Sequence, residues 1–215
     1  MKGFDRWLVF FLLTSCLAGC SIFGQTTDVP QGSILFQDDF SDVKSGWDIW
    51  NETTGSLVAY SGGGLRILVR EPQFDYWSRP GKRFGDVRIE VDAIKLDGPD
   101  DNDFGLVCRY QNRDNFYAFL ISSDGYAGIL KVKDGQYQLI HADQMEFSPA
   151  INKGSASNRL RAFCLGPTLV LYVNGQKAVQ AADQDFTTGE VGVMAGTNAR
   201  PGVDILFDNF VVIRP

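Results

Sequence analysis

The sequence has a single histidine, only four cysteines and no run of lysine and arginine. One histidine, His141, excludes a multi-histidine zinc or iron centre, and any Ser/His/Asp arrangement would have to use it. No G-x-S-x-G elbow or other nucleophile signature accompanies it, so His141 reads as a structural or exposed strand residue. The chain carries a net charge of −6 without a basic stripe. That excludes nucleic acid as a partner, because phosphate binding needs clustered cations. The apolar run at 7–18 falls short of the roughly 20 residues that cross a bilayer as a helix. No ten-residue window combines a 3.6-residue period with helix caps, so helices are not expected. What the chain does have is 44% hydrophobic residues, 13% aromatics and 23 glycines. That is ample for a core, and 215 residues suit one sandwich or barrel domain or two small ones.

The first residues read as an address. Lys2 and Arg6 precede the apolar run, in the layout of a secretory signal. The run ends in Leu17-Ala18-Gly19-Cys20, which resembles the bacterial lipobox. That resemblance implies cleavage before Cys20 and lipid on its thiol and new amino terminus. The alternative is an ordinary signal peptide that holds a cysteine there. The expected organisation is a lipoprotein signal over 1–19, lipidated Cys20 and a polar tether over 20–33, and one domain over 34–215. The expected location is the bacterial cell envelope, facing outward from the cytoplasm at the surface or in the periplasm. More than one acyl chain would anchor the domain stably to the membrane.

From Ile34 onward, short apolar runs alternate with turn signals. Runs occur at 65–69, 87–94, 104–110, 116–121, 129–132, 160–164, 169–173, 191–195 and 205–213. Val, Ile, Phe and Tyr dominate them, as a half-buried pleated surface favours. Val87, Ile89, Val91 and Ala93 share one face, with Arg88, Glu90 and Asp92 on the other. Ser123-Asp124-Gly125, Lys133-Asp134-Gly135 and Asn174-Gly175 are turn signals between the runs, and Asn-Gly is the strongest hairpin signal, because a type I′ turn needs positive φ at both central residues. Many short strands at regular spacing predict an all-β sandwich or barrel and not a parallel α/β fold. Two cysteines remain in the domain, Cys108 and Cys164, both mid-strand. An exported chain can join them in one disulfide; the alternative is two separate buried thiols.

The segments 158–164, Leu169-Val170-Leu171-Tyr172-Val173-Asn174-Gly175, Gly189-Glu190-Val191-Gly192-Val193-Met194-Ala195-Gly196 and Phe207-Asp208-Asn209-Phe210 follow one another. Together with the opening 36–42 and Gly46-Trp47, they resemble the concanavalin A-like lectin/glucanase superfamily. Within it, the chain is most similar to laminin G-like and 3-keto-disaccharide hydrolase-like domains of bacterial lipoproteins. The resemblance spans about residues 34–215. It implies a two-sheet jelly roll whose concave face or loops bind extracellular glycan. Many jelly rolls hold a structural Ca²⁺ between first and last strands, which nominates Asp39 and Asp208 as ligands.

Family 16 glycoside hydrolases of this superfamily carry E-x-D-x-(x)-E on one strand. Glu90 and Asp92 match the first two places, but Lys95 replaces the last, so a catalytic role is not expected. The acidic stretch 97–103 has the oxygen ligands of a Ca²⁺ loop but not an EF-hand's spacing, and reads as a solvated turn. Aromatics at strand ends and in loops include Trp47, Trp50, Tyr76, Trp77, Tyr126 and Tyr137. Flat rings stack on the CH faces of sugars, and Arg hydrogen-bonds the hydroxyls. Trp77, Arg109 and Tyr117 are the expected ligand contacts, with Trp47 in the core. The expected role is noncatalytic carbohydrate binding. The rivals are glycoside or 3-keto-glycoside hydrolysis, and a structural or adhesive protein-binding module.

Overall fold

The computed structural model describes residues 30–215, and every helix-or-strand element among them is a strand. The strands are β1 (Ile34–Asp38), β2 (Trp50–Asn51), β3 (Leu57–Ser61), β4 (Gly64–Val69), β5 (Phe74–Ser78) and β6 (Arg83–Phe84). Next come β7 (Val87–Asp97), β8 (Asn102–Asn112), β9 (Asn115–Ile121), β10 (Tyr126–Lys133), β11 (Gln136–Leu139) and β12 (Glu146–Phe147). The last are β13 (Ser157–Leu165), β14 (Thr168–Val173), β15 (Gln176–Ala182), β16 (Gly189–Thr197) and β17 (Val203–Ile213). The signal segment 1–19, Cys20 and most of the tether lie outside the described residues.

All pairings are antiparallel and form two sheets. The first runs β15-β14-β13-β7-β17-β4-β3-β2, with β1 also on β17. The second runs β11-β10-β9-β8-β16-β5, with β12 on β10 and β6 on β16. The turn chemistry is as expected: φ is positive at both Asp134 and Gly135, and at both Asn174 and Gly175. Each pair closes a two-residue hairpin, β10 to β11 and β14 to β15.

Alternation decides what each face buries. From the first sheet, Ile89, Val91, Leu160, Leu171 and Phe207 enter the inter-sheet core; from the second come Leu106, Tyr117, Phe119, Val193 and Ala195. Trp47 belongs to this core, 4.9 Å from Phe210 and 5.0 Å from Phe40 between ring centres. Its indole N–H donates to Asp38 Oδ2 at 2.9 Å. A disulfide joins Cys108 of β8 to Cys164 of β13 and so ties the two sheets together.

The second sheet is also apolar on its outer face. Val107, Phe116, Ala118, Leu120, Val132 and Met194 form a second buried cluster there, with Trp77, Leu130 and Met145 against it. A strand apolar on both faces reads as a continuous run rather than an alternation, which is the pattern of 104–110 and 116–121. Residues 139–145 cover part of this face. A Cβ at Gly128 would come within 3.0 Å of Met145, 3.1 Å of Leu139 and 3.2 Å of His141. His141 Nδ1 accepts the Ile129 backbone N–H at 3.2 Å, which gives the lone histidine a structural task.

Candidate functional site

The rest of that outer face is open. Two adjoining clefts of about 770 Å³ and 590 Å³ share Phe74, Asp75, Trp77 and Arg113, and together make one groove across the β5 side of the second sheet. This is the size range of small-molecule sites. Strand alternation sends Asp75 and Trp77 of β5 to the same face. Trp77 lies against the outer apolar cluster, its ring centre 5.7 Å from Phe116 and 6.1 Å from Tyr110. Trp50 and Tyr76 stack on each other at 4.1 Å around the strand edge, and Phe74 lies 4.8 Å from Tyr76. Tyr137 closes the other flank and is half exposed.

The segment ahead of β2 is fixed as one wall of the groove. Arg79 bonds Asp48 Oδ2 and Glu190 Oε2, both at 2.8 Å. Ser78 Oγ donates to the Asp48 carbonyl at 2.7 Å. The Arg79 guanidinium also lies 4.1 Å over the Tyr110 ring.

At the groove floor, β16 runs between β5 and β8, and Gly196 sits directly between Asp75 and Asp103 in register. A Cβ there would lie 2.0 Å from Asp75 Oδ1 and 2.6 Å from Asp103 Oδ1. Only glycine leaves room for both, and the two oxygens are no further apart than those distances together. Asp103 Oδ1 is shut off from solvent with no hydrogen-bond partner. Burial pushes Asp75 up to about 6. Burial, then the charges of Asp75 and Asp101, push Asp103 up to about 8. The two groups titrate as a pair, so the proton held at neutral pH belongs to both. Burial, followed by the Asp75, Asp114 and Asp103 carboxylates, also raises the Tyr137 hydroxyl.

Of the three expected ligand contacts, Trp77 is in the groove, and the other two need correction. Arg109 is 1% exposed and Tyr117 fully buried, so neither is accessible to a ligand. Strict alternation would send Arg109 out with Val107, but the β8 ladder is bulged after Cys108 and Arg109 has φ of +51°. A bulge re-aims its side chain. The guanidinium turns inward, donating to the Gly166 carbonyl at 2.8 Å, the Phe186 carbonyl at 2.9 Å and Asp86 Oδ1 at 2.9 Å. The backbone of Arg109 presses on β16 where a Cβ at Gly189 would sit 2.2 Å from it. Tyr117 is directly opposite Cys108, so it shares the core face. Its hydroxyl donates to Asp183 and accepts the Phe186 N–H at 3.2 Å. Burial and the Asp183 bond hold that hydroxyl well above the ordinary tyrosine range. Tyr117→Phe should therefore cost about 1–2 kcal/mol in chemical denaturation, because it leaves the buried Phe186 N–H without its acceptor and takes one donor from Asp183, which keeps Lys131. It should leave ligand binding unchanged; weakened binding by a fully folded variant would contradict this placement.

Tyr126 packs against Phe147 and lies outside the groove residues. Glu90 is clasped on the outer face of the first sheet by Arg161 at 2.8 Å, Arg159 at 3.0 Å and Arg88 at 3.1 Å. Burial opposes its ionisation, but the bonds from Arg159 and Arg161 outweigh this and hold it below the usual carboxylate range. Asp92 accepts from Asn209 at 2.9 Å and faces Arg159 at 3.3 Å. Both are structural ion-pair residues. Asp39 and Asp208 are occupied within their own turns. Asp39 Oδ1 accepts from Ser41 N and Oγ, and Asp208 Oδ1 from Asn209 N. Among the described residues, no group of three or more His, Cys, Asp or Glu side chains is gathered to hold a metal ion.

Neither a protein-family profile nor a curated protein sequence matches the chain. Solved structures do. The carbohydrate binding module CBM66 from Bacillus subtilis superposes with a TM-score of 0.62 at 18% identity, over 78% of this chain and 95% of that one. Bacillus licheniformis beta-glucanase superposes at 0.58 with 10% identity, over 84% and 98%. The GH43 protein BlXynB of Bacillus licheniformis matches at 0.62 with 15% identity; the match takes in 83% of this chain but 39% of that larger one. With its two antiparallel sheets and these superpositions, the chain has the all-β jelly-roll sandwich fold.

Proposed function

We propose that this protein is an envelope lipoprotein whose groove on the second sheet binds extracellular carbohydrate without cleaving it. The observation that carries the reading is the grouping of Trp50, Tyr76, Trp77 and Tyr137 around a groove that also presents Asp75 and Arg113. Rings supply flat apolar platforms for sugar CH faces, and the charged groups supply directional bonds to hydroxyls. The wall residues are already tied down, so little ordering cost accompanies binding. The superposable proteins include a carbohydrate binding module and a beta-glucanase, which supports a sugar ligand. Lipid on Cys20 would hold the domain at the membrane, and Cys20→Ala would release it to the soluble fraction.

Tyr137→Ala and Trp77→Ala should each weaken binding to a responsive oligosaccharide about tenfold, the loss of one stacking platform. A glycan array identifies the ligand, and titration calorimetry measures the loss. Tyr137 is half exposed, so its variant should keep the parent melting temperature; unchanged affinity in both variants would sink the reading.

Hydrolysis is the second reading, favoured by the Asp75–Asp103 pair, since carboxyl groups with separated pKa values can divide acid and base roles. Reducing-sugar release by the parent, abolished in Asp75→Asn, would establish it. Binding without release supports the noncatalytic role.

A further inference from the structure

The Asp75–Asp103 pair is an unusual floor for a sugar groove. Both residues are partly buried, and Asp103 Oδ1 is shut off from solvent with no donor from the protein reaching it. The nearest fixed charges are mostly negative. Asp101 lies beside Asp103, its Oδ1 accepting from Asn198 Nδ2 at 2.6 Å. Asp114 lies on the groove rim and pairs with Arg113 at 3.5 Å, an exposed contact. Arg79, the other cation of the groove, is committed to Asp48 and Glu190. Tyr137 faces the pair as a neutral phenol.

A buried acceptor without a protein donor is completed by a ligand that brings one. Two carboxylates side by side repel, and a cation between them removes the repulsion while gaining both bonds. A hydroxyl brings a donor but no charge. A uronate or sulfated sugar would bring a third negative group to the same floor, at the cost of further repulsion.

Resting on the carbohydrate reading above, we infer that Asp75 and Asp103 form the recognition centre of the groove and select a sugar bearing a primary ammonium group. Binding is an exchange. The ammonium keeps its three protons and sits against both carboxylates, and the proton that the pair held leaves to solvent. Trp77, on the same strand face as Asp75, offers its ring to the sugar body or to the cation itself. Gly196 is part of the selectivity, because any side chain there would fill the space between the two carboxylates.

The test uses the soluble domain, residues 21–215, and three short oligosaccharides: a glucosamine oligomer, the same oligomer N-acetylated, and a uronate oligomer. Calorimetry is run at about pH 6.5, where the pair holds about one proton and the amine is still largely charged, in two buffers of different ionisation enthalpy. The glucosamine oligomer should bind at least about tenfold more tightly than its acetylated form, with the uronate weakest. About one proton should be released on binding. Asp103→Asn and Asp75→Asn should each abolish the preference for the amine over the acetylated form, and with it the proton release. Equal binding of the amine and acetylated forms, unchanged by either variant, overturns the selectivity and leaves the groove reading standing. Binding by none of the three overturns the selectivity, and the glycan array then decides the groove reading separately.

Discussion

Replacing Asp103 with asparagine should make the protein more stable at neutral pH, not less. The asparagine keeps the shape of the side chain and removes an ionisable group that folding must hold protonated. In the unfolded chain Asp103 titrates near 3.8, whereas in the folded protein burial and its acidic neighbours raise it to about 8. Between those values the folded state binds more protons than the unfolded state. Stability therefore falls as pH rises through that window. Below about pH 4 both states are protonated and the penalty vanishes; above about pH 8 it is complete. Asp75, raised to about 6, adds to the same slope over the lower part of the window.

The opposing groups act elsewhere. Hydrogen bonds from Ser41 lower Asp39, and the bonds of Lys131 and Lys133 lower Asp185. For Asp183, bonds from Lys131 and Tyr117 outweigh burial and lower it too. Their stabilisation is present at neutral pH and lost only as pH falls below the usual carboxylate range. The parent protein should therefore be most stable at mildly acidic pH, near 5. Asp103→Asn should recover about 2 kcal/mol at pH 7, or about 4–8 °C in melting temperature for a domain of this size. Melting curves from pH 4 to 9 check both parts. The parent curve should slope down above pH 5, and the variant curve should be flatter. A parent melting temperature that rises from pH 5 to 8 would show that the pair is solvated and ionised.

The sequence made most of the fold readable and less of the site. Alternation in 87–94, the two-residue hairpins at Asp134-Gly135 and Asn174-Gly175, and the absence of helical periodicity are local properties, and local properties survive into the structure. Trp77 was legible for the same reason, as an aromatic in a short strand followed by a turn. Arg109 was misplaced because one bulge reverses the parity of every side chain beyond it, and nothing in Cys108-Arg109-Tyr110 announces a positive φ. Tyr117 was misplaced because its face follows from its register with Cys108, which only the pairing supplies. The Asp75–Asp103 pair was missed entirely. Asp103 looked like the end of an acidic turn, but it lies inside β8. Asp75 and Asp103 are brought together by β16, whose Gly196 lies 93 residues after Asp103 and 121 after Asp75 and is all that the strand contributes to the contact. Their order in sequence carries no trace of that.

The disulfide gives the largest expected change. Cys108 and Cys164 are both fully buried and join the two sheets across the core, over a sequence separation of 56. Cross-linking residues so far apart removes loop entropy from the unfolded chain worth about 4 kcal/mol. The double variant Cys108→Ala, Cys164→Ala should lose about that much, which lowers the melting temperature by about 8–16 °C. Its denaturant m-value should rise, because an unfolded chain without the cross-link exposes more surface. That second readout separates the entropic account from a simple packing defect, which lowers the transition midpoint at constant m. The parent should gain the mass of about two hydrogens on reduction in denaturant, and should resist the same reductant while folded, since both sulfurs are enclosed. No mass change on reduction, or a double variant as stable as the parent, would show that the two cysteines do not hold the sheets together. If the bond is present but the m-value is unchanged, its contribution lies in the folded core and not in the restricted unfolded chain.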